Sequence, residues 1–435
     1  MVATWIALLF SFSVSFILKD APWFYDNRDM VSWYTVFFIS CVFVVAMIFK
    51  HNGKKVDTSV LLIIFAGYFI RVFLLFWDTY YQDVFLLPSS GYDSESFYRV
   101  ARGINPLNRD LPYSDFIAFI FRIIGRQRII AQFINLLLGM SSVFIGLDIL
   151  KKFTDNEKIH TFALLIGFLL PYHMILNVIL LREAIIAFFI ILSLYFFVKW
   201  LESNNILHVI LSLSCILAAA QFHSAIVTIA IGYGICVILY NREHKDLSLS
   251  VRSITWIMAC VLLFLVVNRF FDFVHLQGFD IEYRLAFAEG EGGGGADYSF
   301  IVDTGNVNLD FVINTPIRMV YFLMSPLPMY WRGPFDIIAF LFSSMFYGYT
   351  YYRTIRTIGS KDAKNRSIIV MLLIISLLGI FVFAWGSRNA GTAMRHRDKF
   401  AVQHVIMLAL SLEHAWKNVL IRKKSKKRGV LNETV

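Results

Sequence analysis

The chain has 435 residues, of which 58% are hydrophobic and only 16% are charged, and its formal net charge is +10. A soluble domain cannot bury so much apolar surface, so lipid is the expected solvent for most of the chain. Its four cysteines lie in apolar stretches without paired spacing, which argues against a disulfide framework or a cysteine zinc site.

Apolar runs of membrane-spanning length recur along the sequence and predict about twelve transmembrane helices. They fall at 2–18, 32–50, 58–77, 128–150, 160–181, 183–201, 205–222, 224–241, 253–274, 335–352, 367–386 and 399–417. The fifth and sixth belong to one long apolar stretch interrupted at Arg182-Glu183, with Pro171 as a competing break. Residues 309–331 contain three prolines and predict two short re-entrant or surface-lying helices. The predicted fold is all-α, a polytopic membrane helix bundle forming a single domain over residues 1–435.

The basic residues predict how these helices are oriented, because cytoplasmic loops are enriched in lysine and arginine. With both termini cytoplasmic, 15 lysines and 7 arginines lie inside, against 2 lysines and 16 arginines outside. The predicted outer loops are 78–127, 275–334 and 386–398. The basic tail, 418–435, is expected to hold the last helix against anionic lipids and not to bind nucleic acid.

Arginine dominates the cations of the predicted outer side, and guanidinium groups bind phosphate oxygens in a bidentate manner. The expected phosphate or pyrophosphate ligands are Arg71, Arg182, Arg284, Arg318, Arg388, Arg395 and Arg397. The outer loop 386–398 gives the strongest indication, with a solvated loop as the alternative. Arg122, Arg126 and Arg128 lie on an amphipathic stretch that leads into the fourth span and predict contact with lipid head groups.

Three polar side chains are candidate catalytic groups. Asp93 and Glu95 in the first outer loop suit a general base towards a sugar hydroxyl, or a divalent cation; a helix N-terminus is the alternative. His223, at the outer end of a span, suits proton transfer or a phosphate contact, with a plain interfacial position as the alternative. The aromatic side chains expected to contact sugar rings are Tyr92, Tyr98 and Trp331. The sequence leaves metal binding open.

Four sequence elements together resemble bacterial polysaccharide polymerases of the Wzy/EpsG type, within the GT-C class of integral-membrane glycosyltransferases. They are Gly91-x-Asp93-x-Glu95-x-x-Tyr98, the run Leu180-Leu181-Arg182-Glu183-Ala184, the pair His223-Ser224, and Arg395-x-Arg397. The resemblance implies an enzyme that polymerises polyprenyl-pyrophosphate-linked oligosaccharide repeat units into an O-antigen, capsule or exopolysaccharide. Its location would be the outer face of the bacterial cytoplasmic (inner) membrane.

The same resemblance implies roles for individual residues. Asp93 or Glu95 would be the base or metal site, and Arg182, Arg395 and Arg397 the pyrophosphate clamp. The implied partners are the lipid-linked oligosaccharide, membrane lipids, a flippase and a chain-length regulator.

Two alternatives remain at this point. One is a GT-C glycosyltransferase or O-antigen-type ligase that uses a polyprenyl-linked donor. The other, from a different class, is a flippase or transporter of lipid-linked oligosaccharide, which is expected to carry charges deep in several spans. The predicted charges cluster at one face and favour chemistry over passage. The sugar, its linkage and the stereochemical outcome are not fixed by the sequence.

Overall fold

The computed structural model describes residues 1–53, 57–104, 112–244, 246–247, 255, 258, 281–290, 301–360 and 365–432. Within these residues the chain is almost entirely helical, and its one sheet is the two-stranded antiparallel pair of β1 (Tyr240–Asn241) and β2 (Asp246–Leu247). Backbone contacts divide the chain into two compact units. Unit 1 comprises Met1–Ser224 and Asp398–Ile406, and unit 2 comprises Ala225–Arg397 and Met407–Val435.

Unit 1 is built from helices of very different lengths, several of them shorter than a membrane span. They are α1 (Val2–Leu18), α2 (Pro22–Asp26), α3 (Arg28–Gly53), α4 (Thr58–Tyr80), α5 (Tyr92–Ala101), α6 (Pro112–Ile124), α7 (Arg128–Leu150), α8 (Glu157–Leu169), α9 (Pro171–Leu176), α10 (Glu183–Ser203) and α11 (Ile206–Phe222).

The described part of unit 2 adds further helices, one of which carries a π-helical turn. They are α12 (Thr228–Leu239), α13 (Ile281–Glu289), α14 (Val307–Met324), α15 (Pro334–Ala339), the π turn Phe340–Ser344, α16 (Met345–Ile358), α17 (Arg366–Trp385), α18 (Ala390–Asp398) and α19 (Ala401–Asn432). The last residue of α18, Asp398, and the start of α19, residues 401–406, belong to unit 1. Short 3₁₀ turns occupy Ser224–Val227 and Pro328–Tyr330.

Five described helices are long and apolar enough to cross a membrane. Their apolar segments are Arg28–Phe49, Thr58–Tyr80, Arg128–Leu150, Glu183–Ser203 and Arg366–Trp385. Shorter apolar helices occur at Val2–Leu18, Ile206–Phe222 and Ser224–Leu239. The predicted class, an all-α structure of the membrane-protein type, is confirmed at this level. The predicted span 253–274 lies outside the described residues except for Thr255 and Met258.

Residues 160–181 do not form the single helix that the apolar run predicts. Helix α8 ends at Leu169, and Pro171 begins the six-residue α9, because proline cannot donate a backbone hydrogen bond and suits a first helical turn. From Asn177 to Arg182 the backbone is not helical, and α10 starts at Glu183. The helix is therefore interrupted at both predicted positions, at Pro171 and before Glu183.

Residues 307–324 form one helix through Pro316, so the prediction of two short helices within 309–331 is wrong for this part. The helix is secured at its start, where the Asn306 side chain accepts from the amides of Asn308 and Leu309. Further along, Asn314 exchanges hydrogen bonds of 2.8 Å with both backbone groups of Val302. These anchors outweigh the single backbone bond that a proline removes.

The predicted outer loop 386–398 is mostly helix, since α18 occupies Ala390–Asp398. Its first turn is capped by Asn389, whose side-chain oxygen accepts from the Thr392 amide at 2.8 Å. The glycine and threonine at positions 391 and 392 thus belong to a capped first turn. They do not form an open anion-binding loop.

Helix α7 is the most thoroughly buried of the five long apolar helices. Polar and small residues recur along it at intervals of three or four, which places them on one face of an α-helix. This stripe consists of Arg128, Gln132, Asn135, Gly139, Ser142 and Gly146. Arg128, Gln132 and Asn135 of this stripe make side-chain hydrogen bonds to neighbouring segments of unit 1.

Candidate functional site

Arg182 connects three segments of unit 1 that are far apart in the sequence. It is the N-cap of α10, and its Nη1 donates to the Phe222 carbonyl at 2.8 Å. Its guanidinium also lies 5.9 Å from the centroid of the Phe97 ring on α5. Because His223 directly follows Phe222 at the end of α11, Arg182 and His223 belong to one cluster. We call this the motif cluster: Arg182, Phe222, His223 and the α5 residues 93–98.

The carboxylate of Glu95 in the motif cluster is paired with an arginine. Arg128 Nη1 donates to Glu95 Oε1, while Nη2 donates to Ser94 Oγ at 3.3 Å and Asp78 Oδ2 at 3.4 Å. Arg128 and Arg102 both lie over the Tyr98 ring, at 5.4 and 5.3 Å from its centroid. Arg128 is therefore engaged inside the protein, unlike the lipid-facing position that its sequence context predicts.

The remaining predicted residues of α5 face outwards. Tyr92 is 91% exposed and Asp93 is exposed. Within the described residues no three His, Cys, Asp or Glu side chains gather in a group that could hold a metal ion. A divalent cation at Asp93 and Glu95 would therefore need ligands from substrate or water as well.

A pair of polar side chains joins α4 to α7 just below Arg128. Gln132 Nε2 donates to Asp78 Oδ2 at 2.6 Å, and Gln132 Oε1 accepts from Thr79 Oγ1 at 2.9 Å. Asp78 and Gln132 are fully buried. Hydrogen bonding to an amide and to Arg128 lets the Asp78 carboxylate remain in an apolar interior.

Asn135, the next residue of the stripe, supports the irregular backbone before α10. Its Nδ2 lies 2.9 Å from the carbonyl oxygens of Ile179 and Leu181, and 2.8 Å from the Tyr113 hydroxyl. Irregular backbone inside a membrane protein requires such partners, because neither water nor lipid replaces them there. Burial raises the pKa of the Tyr113 phenol, against the opposing effect of its Asn135 hydrogen bond, so the hydroxyl keeps its proton.

Gly139 allows the same segment to approach α7 closely. A Cβ atom at position 139 would lie 2.2 Å from Asn177 Cγ, far inside van der Waals contact. The contact lies about 16 Å along α7 from Arg128, at 1.5 Å per residue. The stretch around α9 is therefore deep within the helical part of unit 1.

Beside α9 lies a group of ionisable side chains that we call the buried ionic cluster: Arg71, His173, Glu183, Asp398 and Lys399. His173 Nδ1 and Asp398 Oδ2 are 2.8 Å apart, and Lys399 Nζ lies 3.7 Å from Glu183 Oε1. The Asp398 carboxylate also acts electrostatically on Arg71. Arg71 Nη1 donates to the carbonyls of Gly67 at 2.9 Å and Phe168 at 2.7 Å.

The buried ionic cluster balances its charges. All five residues are at most 3% exposed, and two cations face two carboxylates when His173 is neutral. Balance of this kind is what makes buried charges tolerable in a low-dielectric interior. Several polar atoms nevertheless have no hydrogen-bond partner within the described structure: His173 Nε2, Asp398 Oδ1, and Arg71 Nε and Nη2. These atoms leave the cluster with donors and acceptors that a polar ligand group could bind.

Two predicted phosphate ligands of unit 2 bind backbone carbonyls. Arg318 donates to Ser387 O at 2.6 Å and to Ala384 O at 3.3 Å. Arg397 donates through Nη1 to Leu323 O at 2.6 Å and through Nη2 to the hydroxyls of two serines. Both arginines are 1% exposed. Each fastens neighbouring segments of unit 2 to one another.

The other predicted residues of unit 2 lie nearer its surface. Arg388 is 4.2 Å from the Phe287 ring centroid and donates to the Phe287 carbonyl, and Arg284 lies over the Tyr283 ring. Trp331 is half-buried and donates through Nε1 to Pro326 O at 3.0 Å. Arg395 is also half-buried, on α18.

His173, Asp398 and Lys399 are not among the site residues predicted from the sequence. His173 sits in an apolar run that predicts a plain span, and it is 225 residues from its partner Asp398. The period of polar and small residues along α7 is the one pattern that indicates a polar interior. It points to polar contacts along α7 but gives no indication of His173, Asp398 or Lys399.

Comparison with protein-family models, with curated protein sequences and with solved structures finds no match to this chain. Its functional assignment depends on the geometry of these residues.

Proposed function

We propose that this chain is an integral-membrane glycosyltransferase of the Wzy/EpsG type that polymerises polyprenyl-pyrophosphate-linked oligosaccharide units. The motif cluster carries the proposal. Arg182 of the element 180–184 lies near Phe97, within the element 91–98, and donates to the carbonyl of Phe222, the residue directly before the element 223–224. Residues that serve one reaction must lie together, and the proximity of these segments supports the proposal.

The proposal includes a topology of about twelve spans with both termini in the cytoplasm of a bacterial cell. The motif cluster then faces the outer side of the cytoplasmic membrane, where activated sugars are supplied on lipid carriers. A flippase that delivers the units and a regulator of chain length are the expected partners.

Arg182 is the residue that we assign to the pyrophosphate of the donor. It precedes the first turn of α10, where free backbone amides and the helix dipole add to the attraction of its guanidinium for an anion. In the reaction, an acceptor hydroxyl attacks the anomeric carbon while the bond from that carbon to the pyrophosphate oxygen breaks. Arg182 stabilises the charge that grows on the departing polyprenyl pyrophosphate.

His223 is the proton acceptor that we assign to the attacking hydroxyl, with Asp93 and Glu95 of α5 as the alternatives. Tyr92 presents an open ring face for a sugar, since it is 91% exposed. Arg318 and Arg397 already donate to buried acceptors, so the proposal does not require them at the phosphate.

The test supplies purified protein in lipid nanodiscs with polyprenyl-pyrophosphate-linked repeat units and analyses the products by gel. We expect a ladder of chain lengths from the natural protein. Arg182→Ala should reduce it by about 10²-fold or more, the loss typical of one charge-stabilising donor. Arg99→Ala, which removes an exposed arginine from α5, is the matched control and should leave the ladder unchanged. Natural protein without a ladder, or Arg182→Ala with a full one, refutes the proposal.

The buried ionic cluster favours a second candidate function, a flippase or transporter of the same lipid-linked oligosaccharide. Ionisable side chains deep in a membrane protein frequently mark transport pathways and proton relays. The test of transport is translocation of a fluorescent lipid-linked oligosaccharide across proteoliposomes, without formation of new glycosidic bonds. A single transfer to an unlinked acceptor would instead identify a ligase.

Two histidine variants assign the cluster to one function or the other. If the chain transports, His173→Gln should abolish translocation, because it removes the imidazole that pairs with the buried Asp398 carboxylate at 2.8 Å. His160→Gln is the control, since His160 is also in unit 1 but is bound to the Thr154 carbonyl at 2.8 Å. Translocation that survives His173→Gln rules out this assignment of the cluster.

A further inference from the structure

A polar pocket of about 460 Å³ opens in unit 1 between the start of α3 and the turn that joins α6 to α7. It is lined by Asp26, Arg28, Asp29, Arg126 and Gln127. Two carboxylates and two guanidinium groups therefore face one space, with no excess of either charge.

The turn below the pocket depends on a glycine. Gly125 has a φ of +80°, and a Cβ atom there would lie 2.6 Å from Arg28 Cδ. Glycine thus lets the Arg28 side chain lie flat against this turn, and Arg28 also donates to the Lys19 carbonyl. By contrast, the side chains of Asp26 and Arg126 are exposed.

An apolar groove of about 410 Å³ runs between α3 and α4. Its lining residues are Trp33, Val36, Phe37, Ser40, Cys41, Val44, Val45, Phe69, Val72 and Phe76. The hydroxyl of Ser40 is occupied, since it donates to Val36 O and lies 2.7 Å from the Tyr68 hydroxyl. The groove consequently offers aliphatic and aromatic surface and suits a hydrocarbon chain.

Pocket and groove are aligned along α3. Asp29, Trp33, Val36 and Ser40 are spaced by four, three and four residues, which places them on one helical face. Trp33 lies about 6 Å below Asp29, and the groove continues for about 18 Å from Trp33 to Val45. A single leaflet of a bilayer has a hydrocarbon depth of about 15 Å. Together, the polar pocket and the apolar groove match the length of one membrane lipid. They also follow its order, with a polar end followed by an apolar chain.

The charges of the pocket select among lipid head groups. A phosphate can accept charge-assisted hydrogen bonds from Arg28 and Arg126, and a primary ammonium can donate to Asp26 and Asp29. A quaternary ammonium has no N–H to donate, and a purely anionic head group would face two uncompensated carboxylates.

We propose that this site binds a phospholipid whose head group joins a phosphate to a primary amine, the phosphoethanolamine class, with one acyl chain in the α3–α4 groove. The site is independent of the catalytic or transport function proposed above.

The experiment uses Trp33, which lines the groove, as the reporter. The full-length protein is reconstituted in vesicles of phosphatidylethanolamine, phosphatidylcholine or phosphatidylglycerol in which a fraction of the same lipid carries brominated acyl chains that quench tryptophan. The Trp33 contribution is the difference between the natural protein and Trp33→Phe. We expect phosphatidylethanolamine to quench it at several-fold lower bromolipid fraction than the other two.

Variants of the pocket test the assigned contacts. Arg126→Ala should remove most of this preference, and Asp26→Asn with Asp29→Asn should shift it towards phosphatidylglycerol. Arg122→Ala, an exposed arginine of α6 outside the pocket, should leave it unchanged. Equal quenching by all three lipids, a preference of the natural protein for phosphatidylglycerol, or an unchanged preference in Arg126→Ala would each overturn the proposal.

Discussion

The buried arginines of the two units differ in how much of each guanidinium group is occupied. In unit 2, Arg397 uses both terminal nitrogens and reaches two backbone carbonyls and two serine hydroxyls. In unit 1, Arg71 uses Nη1 alone, while its Nε and Nη2 have no hydrogen-bond partner in the described structure. Arg71 and Arg397 are equally buried. Burial alone therefore does not show whether an arginine holds segments of the fold together or keeps donors without a partner.

The largest effect is expected from Arg397→Ala. It leaves several buried acceptors of unit 2 unsatisfied, and each costs about 1–3 kcal/mol. We expect a loss of about 4 kcal/mol in the free energy of unfolding, or no folded protein. Denaturant unfolding in detergent measures it. Arg356→Ala is the control, because Arg356 is exposed and lies over the Tyr352 ring, and it should change stability by less than about 0.5 kcal/mol.

Replacing each arginine with lysine gives a sharper test of the difference between Arg397 and Arg71. Lysine keeps the charge but has one nitrogen and no planar fork. Arg397→Lys should cost about 2–3 kcal/mol, since two nitrogens share its bonds, whereas Arg71→Lys should cost less than about 1 kcal/mol. The same unfolding measurement compares them. Equal losses would show that the spare donors of Arg71 do not distinguish its role.

Gly139→Ala should cost about 1–3 kcal/mol, because the new methyl group overlaps the buried Asn177 side chain and overpacks the interior. Gly234→Ala is the matched control. A Cβ atom at position 234 meets nothing within 4 Å, so alanine should stabilise α12 by about 0.5–1 kcal/mol. Thermal unfolding reports both, and a stabilised Gly139→Ala would contradict the close approach described here.

The smallest effect is expected from Lys152→Ala. Lys152 pairs with Glu202, whose side chain is 49% exposed, and such surface pairs contribute about 0–1 kcal/mol. A double-mutant cycle with Glu202→Ala measures the pair, and its coupling energy should fall as salt is added. A coupling comparable to the loss in Arg397→Lys would remove the contrast between buried and exposed cations.

Several long helices could be predicted closely from the sequence. The apolar run 128–150 has the bounds of α7, and the run 58–77 falls within α4, Thr58–Tyr80. Polar or charged residues flank these runs, so the length and hydropathy of each run are enough to predict where its helix begins and ends. The region 160–182 could not be predicted in the same way, because Asn135 supplies the partners that let its backbone leave the helix.

The candidate site likewise contains residues that the sequence indicates and residues that only the fold brings together. Arg182 and His223 lie at ends of apolar runs, where a charged or polar side chain is conspicuous, and their neighbourhood is seen only in the folded chain. In the sequence, His173 and Asp398 look like ordinary residues of a span boundary or a loop. Their relation exists only through the packing of segments more than two hundred residues apart.

The π turn Phe340–Ser344 has an evolutionary consequence. Its wider turn accompanies the presentation of two consecutive hydroxyls, Ser343 and Ser344, to Arg397, and Ser344 Oγ also donates to Ser325 O at 2.5 Å. Losing one codon here would restore ordinary helical spacing and remove the widened turn that accompanies the presentation of both hydroxyls to Arg397. Lineages carrying this gene should therefore tolerate replacements of the apolar residues at 340–342 far more readily than any change in their number.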